Sequence, residues 1–376
     1  MYPDPKYLLY IGTYATADVD SIYIYCMDAA TGMMKFDSGY RAGVSPTFLS
    51  LSPDNRYLYA VNRLTTFLGQ PGGAVSAFAI EPLTGKLTLL NQQSSHGSGP
   101  CHLTTDRSGR FLLVANYLSG TLSVYPIKTD GRLETASQVV QHHGMGVTKE
   151  QDGPHAHFVT VTPDNRFVLS CDLGIDRLTV YQFDSINGRL LENSETILPP
   201  GSGPRHLDFH PTGQFVYLIN ELNSTMTVLA YNAESGALTT LQTLSTLPEG
   251  YAGPNSCAEV WVHPSGKFVY GSNRGHDSLV IFAVETETGL LRLVGHETTR
   301  GKTPRYFGID STGKFLLVTN QDSDSVVNFQ IDPHTGCLSY LQQIDVPKPV
   351  CVKFWTTREE TAQHRSFLPD GISHLG

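Results

Sequence analysis

A small set of histidine, arginine and glutamate residues stands at the ends of short apolar strands, where most sheets carry only solvated side chains. The set comprises His155, His157, Arg205, Glu221 and Arg274. A carboxylate or an imidazole can take a proton from water, and a guanidinium can stabilise the oxyanion formed when water attacks a carbonyl. Residues of these types could therefore activate water and stabilise an oxyanion, and these five are the candidates for a catalytic role.

Other polar residues at neighbouring strand ends suit substrate binding. Arginine forks hold carboxylate or phosphate groups through paired hydrogen bonds, so an anionic small molecule is the expected ligand. The predicted substrate-binding residues are Arg63, His206, Asn220, Asn273 and Arg305.

Structural roles compete with these assignments. Arg63 and Arg305 are also compatible with solvated charges at a rim. Glu221 could form a structural salt bridge with Arg205 or Arg274. A histidine at a strand start is often a hydrogen-bonded core residue. These alternatives stay open at the level of sequence.

The elements that position these residues belong to one repeated unit. Six times the chain shows a proline, a short strand, a tight turn containing Asp-Asn, Ser-Gly or Thr-Gly, and a second apolar strand ending near Asn or Asp. Such turn residues supply the positive φ of a hairpin, and proline suits strand entry because it cannot donate to a ladder. The prolines are Pro46, Pro100, Pro154, Pro204, Pro254 and Pro304.

A third strand and a more polar fourth strand follow each hairpin, so each repeat is the four-stranded antiparallel blade of a propeller. The glycine turn before the fourth strand also occurs at 30–34, which gives a seventh blade whose three strands come from the N-terminal segment. Its missing innermost strand must be 348–354. We predict an all-β, seven-bladed β-propeller, closed by pairing of N-terminal strands with a C-terminal strand. The Trp-Asp signature of WD40 repeats and the paired glycines of kelch repeats do not recur.

Strand starts and hairpin ends should surround one mouth of the central channel, because the first strands of the blades line it. Positions after the strand-entry prolines are Thr47, Cys101, His155, Arg205, Asn255, Arg305 and Val350. Positions after the second strands are Tyr14, Arg63, Tyr117, Leu173, Glu221, Arg274 and Gln321. Several arginines around one carboxylate predict a site for an anion. His155 and His157, two apart on one strand, are expected to share a face.

Charge and composition exclude several classes of partner. The chain has 376 residues and a formal net charge of −9, which argues against binding to nucleic acid or an anionic membrane surface. No apolar run approaches the ~20 residues of a spanning helix, and no signal peptide is recognisable. We predict a cytoplasmic protein that is a monomer or a weak homo-oligomer.

No spacing typical of a calcium or zinc site is visible, so neither a metal nor a cofactor is expected. The repeats predict a single propeller domain over residues 1–358. Residues 359–376 match no blade and are predicted to be a C-terminal tail.

The chain resembles the lactonase family of seven-bladed propellers over roughly residues 7–356. This family includes bacterial propeller-type 6-phosphogluconolactonases and fungal carboxy-cis,cis-muconate lactonizing enzymes. The most specific stretches are "DGPHAHFVTVTPDNRFVLSCDLGIDRLTVYQFD" and "GSGPRHLDFHPTGQFVYLINELNSTMTVLAYN". The resemblance implies a site made of one histidine, two arginines and one glutamate. By motif these are His155 or His157, then Arg205, Glu221 and Arg274.

The resemblance implies hydrolysis of a phosphorylated sugar lactone, with 6-phosphogluconolactone, an intermediate of the pentose phosphate pathway, as the expected substrate. Glu221 or His155 would take a proton from water, and the arginines would hold the oxyanion and the substrate anion. Two alternatives stay open. One is a cycloisomerase acting on a carboxylated muconate, and the other is a non-catalytic propeller that binds a metabolite or a protein.

Overall fold

Seven four-stranded antiparallel sheets form the protein, and the innermost strand of each contacts those of its two neighbours around a ring. The computed structural model describes residues 6–356. The predicted seven-bladed propeller is confirmed. The predicted boundary at residue 358 and the tail 359–376 lie outside the described residues.

Each blade consists of four strands, and the chain passes through the blades in order around the ring. Blade 1 contains β1 (Lys6–Thr13), β2 (Ile22–Asp28), β3 (Met34–Tyr40) and β30 (Pro349–Trp355); blade 2 contains β4 (Pro46–Leu51), β5 (Tyr57–Asn62), β8 (Ala74–Ile80) and β9 (Leu87–Ser94). Blade 3 contains β10 (Pro100–Thr105), β11 (Phe111–Asn116), β12 (Thr121–Pro126) and β13 (Gln138–Gln141); blade 4 contains β14 (Ala156–Val161), β15 (Phe167–Asp172), β16 (Arg177–Asp184) and β17 (Arg189–Ile197). Blade 5 contains β18 (Pro204–Phe209), β19 (Phe215–Asn220), β20 (Thr225–Tyr231) and β21 (Leu238–Ser245); blade 6 contains β22 (Ser256–Val262), β23 (Phe268–Arg274), β24 (Ser278–Val284) and β25 (Leu291–Thr298). Blade 7 contains β26 (Pro304–Ile309), β27 (Phe315–Asn320), β28 (Ser325–Ile331) and β29 (Leu338–Asp345); outside the blades are a small hairpin, β6 (Thr66–Phe67) and β7 (Gln70–Pro71), and the 3₁₀ helices Leu173–Ile175 and Gln321–Ser323.

Blade 1 closes the ring in the way the repeat count predicts. Strand β30 pairs with β1, with Leu8 opposite Trp355 and Ile11 opposite Val352. The innermost strand of the first blade therefore comes from the far end of the chain. This closure leaves no inner strand unpaired within the ring, which removes an edge that would otherwise template aggregation.

The blades are joined by a repeated tyrosine contact. A buried tyrosine from the second strand of a blade, or from β1 in blade 1, donates its hydroxyl to the carbonyl of a glycine in the next blade's outer turn. Burial raises the pKa of each phenol, so each remains a neutral donor. The pairs are Tyr10 with Gly85 (2.6 Å), Tyr59 with Gly131 (3.2 Å), Tyr217 with Gly289 (3.0 Å) and Tyr270 with Gly336 (2.8 Å).

Every inner strand carries an irregularity near its entry, where its register against the second strand shifts by one residue. In blade 5, Pro204 pairs with Asn220 but His206 pairs with Ile219, so Arg205 is the extra residue. The other blades shift at the same place. A bulge of this kind bends the strand and re-aims side chains. Two consecutive side chains per strand, which we call the two bulge positions, consequently point toward the channel.

The register corrects the sequence alignment in two blades. In blade 4 the residue paired with Asp172 is Ala156, not Pro154, and in blade 6 the residue paired with Asn273 is Cys257, not Pro254. The first bulge position is therefore His157 in blade 4 and Ala258 in blade 6. Extra residues before these strands shifted the proline away from the strand entry.

A helix that spans a membrane must be both long and apolar. Among residues 6–356, no helix is long and apolar enough to span a membrane.

Candidate active site

A small cavity lies between the inner strands at the end of the channel where the prolines stand. Its volume is about 10 Å³, room for one water molecule. Its lining consists of side chains at the two bulge positions: Thr47, Phe48, Cys101, His157, Arg205, His206, Arg305, Tyr306 and Val350. Four of the predicted site residues, His157, Arg205, His206 and Arg305, are thus brought together.

Glu221 lies between two arginines beside this cavity. Its Oε2 is 2.7 Å from Nε of Arg205, and its Oε1 is 2.9 Å from Nη2 of Arg274. Each guanidinium also donates to a backbone carbonyl, that of Ala258 (2.5 Å) for Arg205 and that of Cys257 (2.7 Å) for Arg274. Burial raises the pKa of the Glu221 carboxyl, but the neighbouring arginines outweigh it and leave the pKa below its ordinary value. Glu221 is therefore an anion that fixes two cations.

We expect these ion pairs to make stability depend on pH in the acidic range. The folded pKa of Glu221 is lowered from 4.5, so the pairs stabilise the protein above that pH, and the contribution is lost as the pH falls through the folded pKa. Glu221→Gln leaves the buried guanidinium of Arg205 and the partly buried guanidinium of Arg274 uncompensated, which costs about 3 kcal/mol at pH 7. Thermal melts from pH 7 to 3 should show the wild-type protein losing Tm more steeply than the variant.

A surface ion pair provides the matched control for this prediction. Arg177 and Glu195 are 2.8 Å apart but both are more than a third exposed, so Glu195→Gln should change stability by less than about 1 kcal/mol. If the Tm of the wild-type protein and the Tm of Glu221→Gln decrease equally as the pH is lowered from 7 to 3, the ion-pair assignment is contradicted.

Arg305 and Arg63 supply further positive charge near the same cavity. Arg305 lies 5.8 Å from the ring centroid of Tyr14, and Arg63 donates to the Tyr14 hydroxyl at 3.5 Å. Neither forms an ion pair with a carboxylate among residues 6–356. Burial lowers the pKa of Arg305, as do the charges of Arg274 and Arg63, although Tyr14 opposes them. Crowded guanidiniums without an acidic partner are suited to bind an anion.

The two histidines predicted to share a face lie in different pockets. His157 lines the channel cavity and meets Tyr117 edge-on, with ring centroids 5.5 Å apart. His155 precedes β14, stacks on Tyr117 at 4.4 Å, and uses its ring nitrogens on the Tyr117 carbonyl (2.9 Å) and on Asp152 (3.1 Å). It lines a separate surface pocket. The expectation of a shared face is wrong because His155 lies outside the strand.

Asn220 and Asn273 are placed in the framework and not on the cavity wall. Asn220 donates to the hydroxyls of Thr225 and Thr227, both at 2.9 Å. Asn273 donates to the carbonyl of Thr246 at 2.8 Å and accepts from its hydroxyl at 2.9 Å. Both side chains are fully buried. Neither lines the channel cavity, so their predicted role in substrate binding is not supported by their position.

Sequence reasoning missed ionisable residues in the channel. Glu259 lies with its Oε1 2.9 Å from Nδ1 of His206. His102 stands 5.2 Å from His206, centroid to centroid, and Lys353 donates to the hydroxyl of Tyr306 at 2.7 Å. The sequence does carry a signal for such residues: a polar side chain stands two positions after the strand-entry proline in "PCH" (100–102), "PRH" (204–206) and "PRY" (304–306). It was overlooked because ordinary strands show one side chain in two to a given face.

The described part of the chain contains no obvious metal site. Within residues 6–356, no three histidine, cysteine, aspartate or glutamate side chains gather in a way that could hold a metal ion. The groups available to a ligand are cationic, and suit an anion. That the protein needs no metal and no cofactor stays a prediction.

Comparison with known proteins agrees with this arrangement. A family model described as "Lactonase, 7-bladed beta-propeller" matches residues 8–354. The chain belongs to this lactonase family. The predicted family is confirmed.

Similar lactonases include a Bacillus subtilis (strain 168) protein named 6-phosphogluconolactonase, which is 35% identical over 350 residues, 93% of this chain and 98% of the relative. A Formosa agariphila protein of the same name is 34% identical over 295 residues, 77% of this chain and 82% of the relative. Among solved structures, the Pseudomonas aeruginosa periplasmic gluconolactonase PpgL matches with a TM-score of 0.88 at 32% identity, covering 94% of this chain and 99% of that one.

Proposed function

We propose that this lactonase hydrolyses a phosphorylated sugar lactone, with 6-phosphogluconolactone as the substrate and 6-phosphogluconate as the product. The observation that carries the proposal is the cluster of four arginines around one carboxylate at the channel mouth, two of which have no acidic partner within residues 6–356. The names of the similar proteins from B. subtilis and F. agariphila support the same substrate.

We assign a role to each of the four arginines and to Glu221. Arg205, which lines the cavity, stabilises the oxyanion that develops on the lactone carbonyl, and Arg274 supports it through the shared carboxylate. Arg305 and Arg63 hold the phosphate, because their guanidiniums are free of competing carboxylates in the described structure. Glu221 is a poor base because two adjacent cations stabilise its ionised form, so it positions the arginines.

Hydrolysis of freshly generated 6-phosphoglucono-δ-lactone tests the proposal directly. Product is followed with 6-phosphogluconate dehydrogenase, and the rate is corrected for spontaneous ring opening. A rate well above that background supports the proposed function. A rate at background overturns it, and carboxylated muconates and acidic lactones without phosphate would then be tested in its place.

We expect Arg305→Met to separate phosphate recognition from chemistry. Loss of one charge-assisted bidentate contact of about 1.5–3 kcal/mol should raise KM for the phosphorylated lactone at least ~10-fold while leaving kcat within about threefold. Glucono-δ-lactone lacks the phosphate, so its kcat/KM should change little. Equal losses with both substrates would place Arg305 in the chemistry and contradict a phosphate-binding role. Arg300→Met, an exposed arginine stacked on Tyr340, is the control and should change neither constant.

The remaining properties are also proposals. The partner is a small anionic lactone and not a nucleic acid or a membrane, the protein acts in the cytoplasm, and it is a monomer or a weak homo-oligomer. The net charge of −9 supports the exclusion of nucleic acid.

A further inference from the structure

Three buried polar atoms of side chains that line the channel cavity have neither a hydrogen-bond partner nor an ion-pair partner among residues 6–356. They are Oγ1 of Thr47, Nδ1 of His157 and Nε2 of His206. All three side chains line the same cavity, and each is more than nine-tenths buried. A buried polar atom that lacks a partner costs about 1–3 kcal/mol. Three such atoms around one space indicate a polar guest.

The size of the cavity limits that guest to one small molecule. A volume of about 10 Å³ for the centre of a water-sized sphere is the least that accommodates a water molecule, which needs two to four polar partners. The side chains that line the cavity carry a hydroxyl and two imidazole nitrogens without partners, which meets that requirement in number. Arg205 and Arg305 line the same space, so a water bound here lies next to the groups assigned to the substrate.

His206 is held by a buried carboxylate on the side away from the cavity. Its Nδ1 is 2.9 Å from Oε1 of Glu259, and Glu259 is only 4% exposed. The same carboxylate oxygen accepts from the backbone amide of Val260 at 3.1 Å, which fixes its orientation. An imidazole with a carboxylate on one nitrogen and an open second nitrogen is the arrangement of a positioned general base.

We propose that the cavity binds the water that attacks the lactone, that His206 is the base that activates this water, and that Glu259 is its positioning residue. The inference rests on the proposed lactonase function and specifies its unassigned base. A proton of the water passes to Nε2 of His206 while the water oxygen bonds to the carbonyl carbon. The tetrahedral intermediate then breaks its bond to the ring oxygen, which takes the proton from Nε2. The products are a carboxylic acid and a hydroxyl group.

The protonation states of His206 and Glu259 make the rate of the reaction depend on pH. Burial raises the pKa of Glu259 to about 8 against the opposing charges of Arg205 and Lys353. Burial, with the charges of Arg205 and other cations, holds the pKa of His206 well below its ordinary value. While Glu259 is neutral it donates its proton to Nδ1 of His206 and the imidazole hydrogen stays on Nε2; when Glu259 ionises at higher pH, the imidazole hydrogen moves to Nδ1 and Nε2 becomes a free base. Other titratable or charged groups facing the pair are His102, His157, Asp208, Glu221, Arg305, Tyr306 and Cys351.

The test compares pH–rate profiles of the full-length wild-type protein and three variants with 6-phosphoglucono-δ-lactone. His206→Asn keeps an amide donor for Glu259 but removes Nε2, and should lower kcat at least ~100-fold with KM within about threefold. Glu259→Gln should lower kcat at least ~10-fold and move the acidic limb of the profile to lower pH, because His206, whose pKa burial and neighbouring cations hold well below its ordinary value, then titrates alone. His142→Asn is the matched control: His142 is equally buried and lies 2.6 Å from the carboxylate of Asp172, but outside the channel cavity, so its kcat should stay within about threefold.

The outcomes distinguish failure of the proposed lactonase function from failure of the base assignment. Wild-type activity with loss confined to His206→Asn and Glu259→Gln supports the inference. Wild-type activity with more than a third of kcat retained in His206→Asn overturns the inference and leaves the lactonase function standing. A wild-type rate at background overturns the lactonase function, and the inference with it. Should His206→Asn fail to fold, Glu259→Gln decides: an acidic limb unmoved from the wild-type position overturns the base assignment.

A crystal structure gives a readout that does not depend on turnover. An ordered water within about 3.2 Å of Nε2 of His206 supports the inference. Clear density for the surrounding side chains without such a water overturns it.

Discussion

Replacing Arg205 with lysine should lower kcat/KM for 6-phosphoglucono-δ-lactone by ~10²–10³, the loss expected when one oxyanion donor is removed. Arg205 is only 2% exposed and uses one planar fork to reach Glu221 and the carbonyl of Ala258 while lining the cavity. A lysine ammonium retains the charge but cannot serve these partners in the same geometry. The loss should fall mainly on kcat, because the oxyanion exists only in the transition state.

The same substitution elsewhere controls for a general effect on folding. Arg107 also donates to backbone carbonyls, those of Val161 and Thr162, but it lies at the opposite, hairpin-turn end of the blades. Arg107→Lys should keep kcat/KM within about threefold. The kcat/KM values of the two variants are compared in parallel stopped-flow or coupled assays. An Arg205→Lys protein with more than a third of wild-type kcat/KM would refute the assigned role.

Ending the chain after residue 345 should abolish cooperative folding. This truncation removes β30, whose Val350, Cys351, Val352 and Trp355 are at most 3% exposed. Burial of each large apolar side chain contributes roughly 1.5–3 kcal/mol, so the loss approaches the ~5–15 kcal/mol that stabilises a whole domain. It also leaves β1 without its inner partner. We expect large aggregates on size-exclusion chromatography and no sigmoidal thermal transition.

A chain ending after residue 356 is the matched comparison, because it retains all of β30. It should melt cooperatively, in contrast to the chain that ends after residue 345. A monomeric, cooperatively melting 1–345 chain would show that the ring does not depend on this closure.

The fold could be predicted from sequence because it repeats. Each blade shows the same proline, the same turn glycine or asparagine and the same buried second strand, so an ambiguous pattern in one blade is resolved by the others. The pairing of 348–354 with the N-terminal strands followed from counting strands, since a ring of four-stranded blades has only one vacant place.

The site was predicted less completely, for a physical reason. Ordinary strand periodicity shows one residue in two to the channel, whereas the bulge presents two in succession. Strand periodicity finds Arg205 at the first bulge position but not Glu259 at the second, and the role of His206 as a substrate contact stays a prediction. In blade 4 the proline that marks the entry stands two residues early, so periodicity alone could not choose between His155 and His157.

Asn220 and Asn273 show the converse case, in which a predicted site residue is placed in the framework. Their recurrence at strand ends resembled a functional pattern, but each is bonded within the framework. A residue that recurs at the same position of every blade most often stabilises the structure of the blade. Residues that break the repeat, such as Glu221 among its neighbours, carry more information about chemistry.

The contacts that join the blades lie apart from the bulge positions that line the channel. The tyrosine and asparagine contacts that join blades and strands use other residues, so the channel lining can change without altering them. The lining is also lopsided: Arg205 and Arg305 stand on some blades, while small uncharged side chains, Thr47, Cys101 and Val350, occupy others. Of these three small side chains, only Cys101 is assigned neither to the bound water nor to the closing strand β30, so a library confined to that position would sample new lactone shapes on an unchanged scaffold, with the anion anchored as before. Such a surface is well suited to gradual divergence, in which a duplicated gene acquires a new substrate one blade at a time.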